Sequence, residues 1–263
     1  MGMYRVLIEL VSLLNLEEKN KKLERLNVEL ASFSYSASHD LQEPLRKIQA
    51  FASRILLQEG ETISPTSKDY FSRIISSALR MRNLIDSLLD YSRTNINEKI
   101  FIPTNLTNVV EETKEDLQEL IERNNAVIEL YELPIVNIIP LQFQQLLTNI
   151  ISNAIKYRKE NVNPVIKIHA VEVSASELKE EVDSKADMFW KISIVDNGIG
   201  FEPQYAIKIF DLFQRLHGKN EYSGTGIGLA ICKKIMQNHN GSIIAESELD
   251  KGATFHIYLP SIT

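Results

Sequence analysis

The 263-residue chain is 44% apolar and 24% charged, a balance that fits an ordinary globular protein with one large or two modest cores. Its 29 Lys and Arg face 35 Asp and Glu, for a formal net charge of -6. That deficit of cations argues against a duplex nucleic-acid partner, because a binder meets the phosphates with surplus Lys and Arg. The single cysteine, Cys232, excludes an internal disulfide and reads as a small buried helix residue. Residues 1–14 are apolar but interrupted by Arg5 and Glu9. They fall short of the ~20 apolar residues of a membrane span, and no small-residue cleavage site follows them.

From residue 16 to about 58, apolar side chains recur mostly at spacings of three, four or seven: Leu16, Leu23, Leu26, Leu30, Phe33, Ala37, Leu41, Ile48, Phe51 and Ile55. The spacing predicts a long helix, and the mixed charges of residues 17–22 read as its solvated flank. A second helix is predicted over 65–93, with Phe71, Ile74, Ala78, Met81, Ile85, Leu88 and Ser92 along one seam. Ser64 followed by Pro65 supplies an N-cap and a proline at the first helical position. The 59–63 connection is short enough for an antiparallel hairpin. Two such helices cannot bury both seams alone, so a dimeric four-helix bundle is expected. Before about residue 30, a coiled-coil linker explains the pattern equally well.

After Ile102-Pro103 helices expected around 107–124 and 140–159 alternate with short strands. Candidate strands are 126–130, 165–173, 190–195, 242–245 and 255–259, rich in Ile and Val with period-two alternation. The whole is α+β, with a layer of helices on a sheet. The polar, acidic run 174–187 reads as a loop or hairpin excursion.

Four stretches carry chemistry. In Ser38-His39-Asp40-Leu41, His39 lies two residues from both Ala37 and Leu41, hence about 200° from that stripe on a helix. It is placed to face water, where a neutral imidazole attacks phosphorus and Asp40 holds or accepts the other ring proton. Pro44, inside the same helix, favours a kink. Next, Asn149 and Asn153 share one helical face while Leu146, Leu147, Ile150, Ile151 and Ala154 cover the other. The amides offer carbonyl oxygen to Mg²⁺ and Lys156 offers charge to a phosphate, although a plain polar outer face reads the same way. Third, Asp196-Asn197-Gly198-Ile199-Gly200 follows a strand, which suits a buried acceptor for an exocyclic amine and equally suits a hairpin turn. Fourth, Gly224-Thr225-Gly226-Ile227-Gly228-Leu229 opens a helix, so its backbone N–H groups make a phosphate cradle. It is neither the dinucleotide fingerprint nor a P-loop. The polar run 217–223 before it reads as a lid, with Phe210 and Phe213 as packing anchors.

In this order, His39-Asp40-x-x-x-Pro44-Leu45, Asn149-x-x-x-Asn153-Ala-x-Lys156-Tyr157, Asp196-x-Gly198-x-Gly200, Phe210-x-x-Phe213 and Gly224-Thr-Gly226-x-Gly228-Leu229 resemble the H, N, G1, F and G2 boxes of two-component sensor histidine kinases. The run Ala37–Arg46 is especially similar to kinases behind PAS or phytochrome-type sensors. The resemblance implies an antiparallel helical hairpin forming a dimeric four-helix bundle, followed by a Bergerat-type (GHKL) α/β sandwich. It implies a signalling helix over 1–30, a dimerisation and phosphotransfer domain over 31–95, a linker over 96–103 and an ATP-binding domain over 104–263. His39 would be the phosphoacceptor and Asp40 its proton acceptor. Asn153 would bind Mg²⁺, with Asn149 where related ATPases hold a general base. Lys156 and Tyr157 would line the phosphate and sugar side, and Asp196 would take the adenine amine. Gly198, Gly200, Gly224, Thr225, Gly226, Gly228 and Leu229 would shape the pocket, and Arg215 would reach the phosphates. The implied partners are a second copy of the chain, a response regulator receiver domain and an upstream sensor, with the core in the cytoplasm. Glu43 departs from the family, where Thr or Asn four residues after the histidine serves dephosphorylation of the partner. The competing expectations are a nucleotide-binding scaffold without transfer activity and a gyrase- or Hsp90-like ATPase, which would want Glu at position 149.

Overall fold

The computed structural model describes residues 19, 38, 40–93, 100–177, 186–216 and 224–261. The chain divides into two compact units, Met1–Asn97 and Glu98–Thr263. His39, nearly all of the expected 1–30 signalling helix, the 96–99 part of the expected linker and the 217–223 lid lie outside the described residues.

Unit 1 is a helical hairpin of α1 (helical over 40–59) and α2 (Pro65–Arg93). Ser64 Oγ accepts the Ser67 N–H at 3.1 Å, which caps α2 as its Ser-Pro start requires. Ser38, Leu45 and Ala52, seven residues apart, are buried, as are Ala78 and Leu89 of α2. Of the predicted seam Ala78 is buried and Phe71, Ile85 and Ser92 are half-buried, whereas Leu41, Ile48 and Phe51 are 54%, 47% and 63% exposed and Ile74 and Met81 of α2 are exposed as well. On α1 two stripes obey the heptad, and the hairpin buries Ser38, Leu45 and Ala52 rather than Leu41 and Ile48.

Unit 2 starts with β1 (Ile102–Asn105), so the expected 96–103 linker overlaps a strand. Asn105 Oδ1 accepts the Thr107 N–H at 2.9 Å and caps α3 (Leu106–Asp116). α4 (Gln118–Arg123) follows after a break at Leu117, where a single helix over 107–124 was predicted. Then come β2 (Val127–Leu130), β3 (Ile135–Ile138), α5 (Pro140–Lys156), β4 (Val165–Ser174), β5 (Met188–Asp196), α6 (Gly228–Asn238), β6 (Ser242–Glu248) and β7 (Gly252–Pro260). β1 and β3 pair antiparallel in a two-stranded sheet of their own. Neither was predicted, since four residues with a proline or an asparagine among them give little alternation to read.

The main sheet runs β2-β4-β5-β7-β6, with β2 parallel to β4 and all other pairs antiparallel. Ser174 pairs with Met188, so β4 and β5 form an antiparallel hairpin, and residues 178–185 of the acidic run between them lie outside the described residues. Alternate residues Ile166, Ile168, Ile192, Ile194 and Ile257 are fully buried, together with Leu146, Ile150 and Ile151 of α5 and Ile231 and Ile235 of α6. The core of unit 2 therefore lies between one face of the sheet and a helical layer. His239 ties that layer together: Nε2 accepts the Ile139 N–H at 3.0 Å and Nδ1 donates to Ile235 O at 2.7 Å, with Phe101 edge-on at 5.2 Å. The end of α6 is thus fixed to the start of α5. Ile150→Ala is expected to cost unit 2 about 2–5 kcal/mol. Leu141→Ala, at the second residue of α5 and 75% exposed, is expected to stay within about 0.5 kcal/mol; denaturant unfolding of the two variants checks the pair.

Candidate functional site

α5 presents different chemistry on its two sides. Leu146, Leu147, Ile150, Ile151, Ala154 and Ile155 are buried in the core. Asn149, Asn153 and Lys156, spaced four and three apart, line a cavity on the other side.

The floor of that cavity is the end of β5. Asp196 Oδ1 accepts N–H groups from Gly198 at 2.8 Å and from Ala253, at the start of β7, at 3.1 Å. Oδ2 accepts nothing from the described residues. Burial raises the carboxyl pKa, and the two N–H donors offset part of that rise by favouring the charged form. The turn that follows is held by the Ile199 N–H donating to Tyr157 O at 2.9 Å, which joins it to the end of α5. Gly200 has φ +63°, and a Cβ there would stand 2.1 Å from Glu248 O, so no side chain fits. The Asp-Asn-Gly run is therefore not a hairpin turn: Asn197 instead accepts the Val165 N–H and donates to Asn163 O.

The cavity has two halves. Asp196, Gly200, Phe201, Leu216, Ala253 and Phe255 line one, with about 640 Å³ of space open to solvent. Asn149, Lys156, Gly224, Thr225, Gly226 and Gly228 line the other, of about 740 Å³. Asn153, Tyr157, Ile209, Gln214, Arg215 and Leu229 line both, so the halves are continuous.

The second half is cationic. Lys156 Nζ donates to the Tyr157 hydroxyl at 2.7 Å and stands 4.2 Å from its ring centroid. Arg215 Nη1 donates to Gly224 O at 3.1 Å. Burial, and then the Arg215 charge, lowers the Lys156 pKa to about 8. Burial raises that of Tyr157, with Arg215 pulling the other way. Two cations held near each other in a half-buried cleft favour a polyanion. α6 adds to this, because its N-cap, Ile227, offers no side-chain acceptor to the first-turn N–H groups. Gly228 makes room for Asn149, whose Oδ1 would lie 3.0 Å from a Cβ at that position. Asn149 Nδ2 is buried without a hydrogen-bond partner. Behind it Cys232, fully buried as expected, donates to Leu146 O at 3.8 Å, and burial raises its thiol pKa.

The structure thus brings Asn149, Asn153, Lys156, Tyr157, Asp196, Gly200, Arg215, Gly224, Thr225, Gly226, Gly228 and Leu229 together, with Gly198 behind Asp196. It does not bring Phe213 in as a packing anchor: that residue is 57% exposed at φ +63°, whereas Phe210 is buried edge-on against Phe255. Asp40 lies in unit 1, exposed on α1. Ala253 and Gln214 escaped the sequence reading. The only hint of Ala253 is Gly252 ahead of the last strand, and a lone glutamine gives none.

The model of the His Kinase A (phospho-acceptor) domain matches residues 29–95, and that of the histidine kinase-, DNA gyrase B- and HSP90-like ATPases matches residues 138–263. Phytochrome-like protein Cph1 of Synechocystis sp. is 36% identical over 240 residues, covering 91% of this chain and 30% of that protein. The chain belongs to the sensor histidine kinases. It spans about 30% of the length of the curated relatives it matches. Two solved histidine kinases share the fold. Full-length ShkA in complex with AMPPNP has a TM-score of 0.60 at 20% identity, covering 87% of this chain and 45% of that one. ThkA in complex with the response regulator protein TrrA has a TM-score of 0.58 at 23% identity, covering 94% of this chain and 66% of that one.

In this histidine kinase the cleft of unit 2 is the part the ATPase model covers. Lys156 keeps its proton below a pH of about 8 and loses it above, and a polyphosphate prefers the protonated form. Affinity for a fluorescent ATP analogue is therefore expected to fall by about fivefold from pH 7.5 to 9, where most of a group with that pKa is neutral. Lys156→Arg, charged throughout, is expected to flatten the profile.

Proposed function

We propose that this chain is the kinase core of a two-component sensor histidine kinase: it binds ATP in unit 2, phosphorylates His39 and passes the phosphoryl group to an aspartate of a response regulator. The observation that carries the reading is the convergence of three separated motifs, those of Asn149 and Asn153, of Asp196 and Gly200, and of Gly224 to Gly228, on one cleft with opposite ends. At one end Asp196 Oδ2 is open to an exocyclic amine; at the other stand Lys156, Arg215 and the uncapped start of α6. An adenine and a triphosphate fit that polarity.

The transfer chemistry is simple. An imidazole nitrogen of His39 attacks the γ-phosphorus in line; the N–P bond forms, the bond from γ-phosphorus to the bridging oxygen breaks, and ADP leaves. The proton on the attacking imidazole passes to the adjacent Asp40. Lys156 and Arg215 stabilise the charge spread over the transferring group. Among the described residues no group of three His, Cys, Asp or Glu side chains is placed to hold a metal. The amide of Asn153 fits a Mg²⁺ ion that arrives on the phosphates, and the ion would neutralise charge there. Asn149 cannot take a proton from water, which favours transfer to an acceptor over hydrolysis.

The exposed Leu41, Ile48 and Phe51 stripe supports pairing with a second copy into a four-helix bundle. Similarity to a phytochrome-like protein three times as long supports an upstream sensor, which would act through the helix that the sequence predicts before residue 38. No helix among the described residues is long and apolar enough to cross a membrane; an ATP-consuming core places this part of the protein in the cytoplasm.

Incubation with γ-labelled ATP and Mg²⁺ is expected to give acid-labile, alkali-stable label on the parent chain and none on His39→Gln. Asn153→Ala should abolish labelling and weaken nucleotide binding. Label that survives His39→Gln would overturn the assignment of the acceptor.

A further inference from the structure

The hairpin of unit 1 contains one polar contact across its interior that the function does not use. Gln42 Nε2 donates to Asp86 Oδ1 at 2.6 Å, and both side chains are partly buried. Gln42 sits in the inner seam of α1, between Ser38 and Leu45; Asp86 sits in that of α2, between Ala78 and Leu89. The most buried residues around them are Ser38, Leu45, Ala52, Ala78 and Leu89, with Leu56, Phe71, Ile75 and Ile85 half-buried at heptad spacings from them. Ser38, Ala52 and Ala78 form shallow ridges, which resist sliding weakly. A polar pair in an apolar helical seam has the opposite property: shifting one helix by a turn, about 5.4 Å, leaves a buried donor and acceptor unmatched.

Its position gives the pair a consequence. Gln42 follows His39 by three residues, one turn of helix, and Pro44 follows Gln42 by two. Pro44 has no N–H to give to the carbonyl four residues back, so the backbone between 40 and 44 lacks one of the bonds that stiffen a helix. The segment next to the phosphoacceptor is thus softened along its own axis and stapled sideways to α2 by Gln42.

We infer that the Gln42–Asp86 hydrogen bond sets the register and rotation of α1 on α2, and that these two are positioning residues for His39. The inference rests on the reading of His39 as phosphoacceptor. Neither residue touches nucleotide; they act through the backbone that carries the acceptor, so their loss falls on the transfer rate and leaves ATP recognition alone.

The test uses the full chain. Gln42→Met keeps length and volume and removes the donor; Asp86→Asn keeps an acceptor oxygen at the same place. Gln42→Met is expected to lower kcat for autophosphorylation by five- to twentyfold with KM for ATP within twofold, and Asp86→Asn to recover most of that rate. Gln42→Met combined with Asp86→Leu is expected to lose no more than the worse single variant, since both break one bond. Hydrogen exchange of the amides over 45–52 is expected to quicken by about tenfold in Gln42→Met and not in Asp86→Asn. Unchanged kcat together with unchanged exchange in Gln42→Met overturns the inference, as does a KM that moves with kcat. If the parent chain takes no label on His39 while exchange responds as stated, the register role stands and the kinase reading falls.

Discussion

Burying one carboxylate at the open end of the sheet governs the cleft of unit 2. Asp196 costs free energy as an anion away from water, and its pKa rises accordingly. The chain meets that cost with two backbone N–H groups on a single oxygen, one from the turn after β5 and one from the first residues of β7. Satisfying Oδ1 therefore pulls two strands and a turn into register at one point. The turn has to pass so close to Glu248 O that residue 200 cannot bear a side chain, and the Ile199 N–H then finds the last carbonyl of α5. Because α5 ends there, Asn149, Asn153 and Lys156 are delivered at fixed distances along its outer side. Leaving Oδ2 open is part of the same arrangement: a carboxylate fully paired with backbone would have nothing to offer a ligand.

Much of this was legible in the sequence because it lies in contiguous, periodic segments. The capped start of α2 was visible in Ser64-Pro65, the two faces of α5 in the spacing of Asn149 and Asn153 against Leu146 and Ile150, and the cradle in three alternate glycines. The failures share a cause, which is dependence on residues far away in sequence. β1 and β3 exist only as partners of each other. Asp196 finds Ala253 across 57 residues. On α1 the heptad repeat supplies two stripes three residues apart, and hydrophobicity ranks the larger side chains first, whereas the hairpin buries Ser38, Leu45 and Ala52 and leaves Leu41, Ile48 and Phe51 exposed. Phe213 failed likewise: its motif position suggested an anchor, and its backbone, at φ +63°, turns it outward.

The two units solve different physical problems. Unit 2 needs rigidity, and it has a five-stranded sheet, a helical layer and buried cross-links such as His239 between α5 and α6. Unit 1 has a narrow interior in which Ser38, Ala52 and Ala78 are buried beside Leu45 and Leu89, with a polar pair in it, while Leu41, Ile48 and Phe51 are exposed. A two-helix hairpin gains little from its own core. On the proposed reading, that division suits a nucleotide site that stays fixed while the presentation of an acceptor is adjusted from outside.

On the proposed reading, position 149 favours transfer over hydrolysis. An amide stands there, with Nδ2 buried and unpartnered and Oδ1 against Gly228. A carboxylate in the same place would be desolvated, would stand near the polyphosphate charge and would compete for Lys156 and Arg215; its raised pKa would also make it a competent base for water. The neutral amide leaves both cations to the phosphates and has no basic lone pair to activate a nucleophile. Unit 2 on the proposed reading therefore binds, orients and polarises, and supplies no attacking group. The nucleophile would then come from outside unit 2, and on that reading it is His39, with Asp40 for the proton and Gln42 for placement.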